Sequence, residues 1–230
     1  MPKKIVSGIL DSLSIDCLVF GFQHETLEIL LVKHAVGIIK GQWALPGGWI
    51  RHDEDIDESA SRILTDLTGV SKVYLDQLRA FGEKDRYPSR RVITIAYFAL
   101  IKPENYELHA GFTASDAQWF PLQEIPRLPY DHNKILDYGF RFLQHKVRHE
   151  PIGFNLLPRK FTLLQLQKLY EALLQKDLDK PNFRRKLFKM NLLVPSREKQ
   201  KDVSHRAANL YQFDRRIYKR LSESGLIFEL

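Results

Sequence analysis

Gly48, Glu54, Arg62 and Gly69 stand at intervals that chemistry could use. The paired glycines Gly47-Gly48 open a turn, an acidic stretch (RHDEDIDE) follows, and the next residues place Ile56, Ala60, Ile63, Leu64 and Leu67 at helical spacing. A loop and helix of this kind could hold a divalent cation on a phosphorylated ligand. Mg²⁺ takes near-octahedral oxygen ligands at about 2.0–2.1 Å, and a protein usually supplies carboxylates while phosphates and water fill the other positions. Residues four apart on a helix share a face, so positions 63 and 67 would grip one ion together. They are Ile63 and Leu67, which ligate nothing. Glu54, Glu58 and Asp66 are left as residual metal candidates, and a solvated acidic helix face, favourable near a helix N-terminus, accounts for them more simply. No catalytic set, metal or cofactor is expected. His132 could serve as a general base, yet no second His or carboxylate at catalytic spacing singles it out; Asp131 and His132 read as capping or packing residues at a helix start.

A second set of chemistry-bearing residues lies near the C-terminal end. In NFRRKLFKMNLL, Phe183, Leu187 and Met190 fall at i, i+4 and i+7 and can pack. Asn182, Arg185, Lys186 and Lys189 fall around the other side and can meet phosphates and base edges. The preceding FTLLQLQKLYEALLQ reads as an amphipathic helix, with Thr162 as N-cap and Leu166, Leu169, Tyr170, Leu173 and Leu174 as its apolar face. Two helices joined by a short turn suggest a helix-turn-helix, whose second helix enters the major groove. The polar run PSREKQKDVSHRA and the strand-like NLYQF then suggest a hairpin wing, with Lys199, Lys201, His205 and Arg206 on or beside it.

The charge distribution supports this division. From Pro151 to Leu230 there are 17 Lys and Arg against 8 Asp and Glu, a balance of +9, while residues 1–150 carry 18 against 20, or −2. A nearly neutral first part joined to a strongly basic small second part suggests a sensor or enzyme joined to a nucleic-acid reader. A basic helical bundle that packs on another protein is the alternative.

The elements that must position these residues follow from pattern. At 230 residues with 44% hydrophobic content, the chain has material for one large domain or two smaller ones. Ile15–Phe22 and Leu27–Lys33 read as a hairpin around QHET. Tyr74–Phe81, Val92–Leu100 and Asp116–Phe120 read as strands, the box helix spans about Asp55–Thr68, and another helix spans about Asn133–His149. The charged loop GEKDRYPSRR lies beside two strand ends, where a rigid sheet commonly holds binding groups. RHEPIGFNLLPRK breaks helical periodicity, placing a domain boundary near Glu150, with residues 1–150 before it and 151–230 after. The single cysteine, Cys17, excludes an internal disulfide and sits in an apolar strand-like run, which suits a buried thiol. No apolar run approaches the roughly 20 residues that span a bilayer, and the N-terminal stretch lacks a signal-peptide core, so no membrane partner and a cytoplasmic location are expected.

The box from Gly47 to Val70 resembles the Nudix motif, whose pattern runs Gly, five residues, Glu, seven residues, then Arg-Glu-apolar-x-Glu-Glu-x-Gly-apolar. Its frame fits from Gly48 to Val70, with Ile63, Asp66 and Leu67 at the three later Glu positions. Together with WALPGGW, FGEKDRYPSRRVITIAYFAL, LPYDH, EPIGFNLLP, NFRRKL and RAANLYQF, it makes nearly the whole chain similar to bacterial transcription regulators built from a Nudix-like sensor and a winged helix. One branch of these responds to ADP-ribose; another is sugar-responsive and includes an arabinose-responsive type of Bacteroides-like bacteria, and EPIGFNLLP and LYEA look closer to that branch.

The resemblance implies an α+β architecture: a Nudix fold, with a mixed sheet sandwiched by helices, followed by a small winged helix-turn-helix domain. It implies a homodimer on double-stranded DNA whose affinity is set by a small-molecule effector, a sugar or an ADP-ribose-class compound. Arg184, Arg185, Lys186 and Lys189 would contact phosphates or bases, Asn182 would read a base, and Lys199, Lys201 and Arg206 would add wing contacts. Asp85 and Arg86, with Lys33 and Trp43 from flanking strands, would meet the effector. An active hydrolase of ADP-ribose with an accessory basic domain, and a non-catalytic adaptor, are the alternatives.

Overall fold

The computed structural model describes residues 8–201, 207–225 and 228, which fall into two compact units divided after Phe140. In the first unit, strands β1 (Ile9–Gln23), β2 (Thr26–His34), β3 (Trp43–Ala44), β4 (Gly47–Arg51), β5 (Asp76–Phe81), β6 (Ile93–Ile101) and β7 (Ala114–Pro121) form one mixed sheet. Its spine runs β3-β2-β1-β6-β5, with β4 antiparallel to β1 and β7 antiparallel to β2. β1 and β6 are parallel over nine residue pairs, from Leu13↔Ile93 to Gly21↔Ile101.

The central strand is covered on both faces, which is why its sequence reads as a nearly continuous apolar run. Ile15, Cys17 and Val19 join the core beneath helix α1 (Ile56–Thr68), which contributes Ala60, Ile63, Leu64 and Leu67. On the other face Leu18 meets helix α2 (His132–His149) so closely that a Cβ at Gly139 would stand 2.4 Å from its Cδ2. Ile56, expected on the apolar stripe of α1, stays 42% exposed in the first turn. The Cys17 thiol is buried, and that burial pushes its pKa up.

Local chemistry sets the limits of α1. Asp55 is the N-cap and forms a capping box with Glu58, each side chain meeting the other residue's backbone N–H. Gly69 ends the helix at φ 77°, a left-handed conformation in which its N–H reaches Thr65 O.

The second unit holds the end of α2, a 3₁₀ segment over Pro151–Leu156, helices α3 (Leu163–Leu174) and α4 (Lys180–Lys189), strands β8 (Leu193–Lys199) and β9 (Asn209–Phe213), and helix α5 (Arg215–Glu223). Thr162 caps α3 in a capping box with Gln165, and Asp179 caps α4 through Asn182 N–H at 2.9 Å. Leu166, Leu169, Tyr170 and Leu173 of α3 pack with Phe183, Leu187 and Met190, as their spacing requires. The run expected as a wing begins as strand: β8 pairs antiparallel with β9 from Leu193↔Phe213 to Lys199↔Asn209. Helix α5 was not anticipated from the sequence. Among the described residues no helix is long and apolar enough to cross a membrane.

Candidate ligand cavity and nucleic-acid interface

A cavity of about 410 Å³ opens in the first unit, lined by β1, β4, α1, the loops after β2 and β5, and the start of α2. Its floor is ionic. Asp16 comes from the middle of β1, Arg86 from the β5–β6 loop, and Asp131 and His132 from the start of α2. The Arg86 guanidinium donates from Nε to Asp131 Oδ2 at 2.9 Å and from Nη2 to Asp131 Oδ1 at 2.8 Å, and Nη2 also reaches Asp16 Oδ2 at 3.2 Å. All four side chains are 7% exposed or less. Burial works against the Arg86 charge, but Asp131 and Asp16 outweigh it and raise its pKa.

His132 is held by backbone. Leu45 N–H donates to its Nδ1 at 3.2 Å, so the ring proton belongs on Nε2, which lies 3.6 Å from Asp16 Oδ1. Burial lowers the pKa of His132 despite two neighbouring carboxylates, and the imidazole is neutral. Gly47 pairs with Asp16 across β1 and β4, and a Cβ there would stand 2.4 Å from Asp16 Oδ1, so the position excludes any side chain. Beside this floor stands an aromatic wall: Tyr130 lies 5.8 Å from His132 and 5.0 Å from Tyr87, which in turn meets Trp49 edge-on at 6.0 Å.

The opposite wall belongs to α1, where Ile63, Asp66 and Leu67 line the cavity. These residues do not fit a divalent cation. Ile63 and Leu67 are apolar and each 3% exposed. Glu54 is committed: it accepts Arg62 Nε at 2.7 Å and Nη2 at 2.5 Å, Ser59 Oγ at 2.6 Å and Arg51 N–H at 2.8 Å. The Arg62 hydrogen bonds, against the opposing effect of burial, hold its carboxyl at about 2. Glu58 closes the capping box, and Asp66 lies 3.6 Å from Arg62 Nη1.

Of the effector residues expected from the sequence, Arg86 lines the cavity. Lys33 and Trp43 are brought together across β2 and β3, with the ammonium 5.9 Å above the indole, but neither lines the cavity. Asp85 points to solvent and lies 4.0 Å from Lys84. Sequence reading missed Asp16, Trp49, Tyr87 and Tyr130. One signal was present: Asp16 is a lone acid within the apolar run of a central strand.

In the second unit, Asn182, Arg185 and Lys189 are exposed on α4, and Asn182 Oδ1 accepts from Arg185 Nη2 at 2.8 Å. Lys186 and Arg184 are half-buried, and Arg184 Nε has no hydrogen-bond partner among the described residues. Lys199 and Lys201 are exposed on and after β8, whereas Arg206 and His205 lie outside the described residues. α5 adds the exposed Arg216, Lys219 and Arg220, a basic set that its own helical spacing could have signalled.

A Nudix sheet-and-helix layer with a metal-poor cavity, together with a basic winged helix, defines a class of protein, and comparison with known proteins agrees. Residues 11–139 match the NUDIX domain family, and residues 153–213 match the NrtR DNA-binding winged helix domain. The ADPR responsive transcriptional repressor NtrR of Acinetobacter baylyi is 31% identical over 205 residues, 87% of this chain and 81% of that protein. The crystal structure of Shewanella oneidensis NrtR complexed with a 27mer DNA is similar at a TM-score of 0.72 and 29% identity, over 90% of this chain and 95% of that one. The NUDIX domain of the same Shewanella protein complexed with ADP ribose is similar at a TM-score of 0.53 and 28% identity, over 62% of this chain and 93% of that one. The chain belongs to the Nudix-related transcription regulators, in which a Nudix sensing domain is followed by a winged helix that binds DNA.

Proposed function

We propose that this chain is a transcriptional repressor whose Nudix part, residues 1–150, senses an ADP-ribose-class effector and whose winged helix, residues 151–230, binds operator DNA as a homodimer. The observation that carries the reading is the α1 wall. Ile63 and Leu67 occupy the positions where paired carboxylates would hold metal on a diphosphate, so the cavity keeps a ligand-sized volume without the means to grip an ion. Its 410 Å³ falls within the range of about 300–1,000 Å³ common to small-molecule sites. The repressor from Acinetobacter, similar over most of both chains, is described as ADPR responsive, and the Shewanella relative was crystallised with DNA and, as its NUDIX domain, with ADP ribose.

On this reading Asn182, Arg185 and Lys189 present α4 to the major groove, and Lys199 and Lys201 take the wing to the backbone. A two-fold protein on a palindromic site doubles that contact set and fixes half-site spacing. A free pentose is the second reading, favoured by the hydroxyl-binding chemistry of the cavity floor.

The test is fluorescence anisotropy with fragments from the promoter region of the chain's own gene, at several salt concentrations, with and without ADP-ribose, D-ribose and L-arabinose. The reading expects one fragment to be preferred, binding that steepens as salt falls because phosphate contacts release counterions, and a change in affinity with one ligand. Equal binding to all fragments under every condition would remove it.

A further inference from the structure

Resting on the sensor reading, we propose that the cavity floor is a site for neutral sugar hydroxyls, which takes a diol and turns phosphate away. The charge balance argues first. One guanidinium shared between Asp16 and Asp131, beside a neutral His132, leaves the floor with a single net negative charge. Arg86 already spends its planar fork on two carboxylates, so a phosphate arriving there would find repulsion and no uncommitted cation.

A hydroxyl meets the opposite situation, because it both donates and accepts. His132 presents Nε2–H and Asp16 presents Oδ1, a donor and an acceptor 3.6 Å apart, too far to satisfy each other well. An oxygen set off the line between them lies within about 2.7–3.0 Å of both, accepting from the imidazole and donating to the carboxylate. The pair is preorganised: Leu45 N–H fixes the imidazole tautomer and Arg86 fixes the carboxylate. Tyr130 and Tyr87 then supply an aromatic surface for the carbon face of a sugar ring.

Two ligands carry this chemistry: the terminal ribose of ADP-ribose, with its phosphates directed to the exposed Arg51 at the cavity rim, or a free pentose. Calorimetric titration of the full chain with ADP-ribose, ADP, D-ribose and L-arabinose separates them. ADP-ribose binding at least tenfold tighter than ADP supports the proposal with the first source, and a pentose binding where ADP does not supports it with the second. Asp16→Asn, which keeps the shape but removes the charged acceptor, is expected to weaken the sugar-bearing ligand at least tenfold and leave any ADP binding unchanged; circular dichroism checks its fold. The wild-type series needs no variant. ADP and ADP-ribose binding equally with no pentose bound, or no binding in the whole series, would overturn the floor assignment. The two readings fail separately: if ADP-ribose and ADP bind alike and both shift operator affinity, the floor assignment falls and the sensor stands. If ADP-ribose outbinds ADP without changing operator affinity, the sensor falls and the floor assignment stands.

Discussion

Glu54 and Arg62, eight residues apart, are joined by two hydrogen bonds, Nε to Oε2 at 2.7 Å and Nη2 to Oε1 at 2.5 Å, and Arg62 Nη2 also donates to Trp49 O at 3.1 Å. The pair ties the end of β4 to α1. In a motif whose ion-gripping positions have become apolar, these two residues now serve as a structural clasp.

That clasp predicts a pH dependence. Glu54 is held at about 2 against an ordinary value of 4.5, so its folded pKa is depressed. Its contribution is fully present above about pH 4.5 and is lost as pH falls toward 2. Glu54→Ala is expected to lose about 1–3 kcal/mol at neutral pH, since the charge-assisted bonds go and partners remain. Thermal unfolding from pH 6 to 2.5 checks this: Glu54→Gln should flatten the acid limb, and a limb identical to wild type would refute the assignment.

Arg86 predicts a larger effect. Arg86→Ala leaves the Asp16 and Asp131 carboxylates buried without their cation, a loss of about 3–5 kcal/mol. Arg86→Lys should recover only part, because an ammonium lacks the planar fork. The three tryptophans, Trp43, Trp49 and Trp119, all lie in the first unit, so urea unfolding followed by tryptophan fluorescence reports on that unit. A loss below about 1 kcal/mol for Arg86→Ala would contradict the buried ion network.

The contrast between these two pairs explains what the sequence could reveal. Glu54 and Arg62 belong to one local motif, so fixed spacing places them, and the same local logic found Thr162, the apolar face of α3 and the packing side of α4. Capping and helical periodicity are short-range physics. Asp16 and Arg86 are 70 residues apart and Arg86 and Asp131 are 45 apart, and only the parallel pairing of β1 with β6 and the packing of α2 bring them together. Asp131 read as a helix-start residue, yet both its oxygens go to Arg86. Asp85 and Arg86 are neighbours in one charged loop, and composition could not tell that one is buried and the other solvated.

Metal should matter little. With Glu54 committed and Ile63 and Leu67 apolar, adding Mg²⁺ or removing metal with EDTA is expected to leave melting temperature and operator affinity unchanged. A Mg²⁺-dependent rise in melting temperature, abolished by Asp66→Ala, would show that the residual acids still bind an ion.

On the DNA side, Arg185→Ala and Lys189→Ala should each weaken binding to all duplexes and reduce the slope of log affinity against log salt by about 1. Asn182→Ala should instead reduce discrimination at one base pair, by about 1–3 kcal/mol. Anisotropy on the preferred fragment and its single-base variants separates the two. A salt slope unchanged in both basic variants would move the phosphate contacts away from α4, with α5 the next surface to test.

The central claim is that the cavity and the winged helix are thermodynamically linked, and linkage is reciprocal. The most direct measurement is the ADP-ribose affinity of the full chain, free and saturated with its preferred DNA fragment, beside the fragment's affinity with and without saturating ADP-ribose. The account predicts that both affinities weaken by the same factor, about fivefold or more. ADP-ribose that binds the free chain and the DNA complex equally tightly would contradict it.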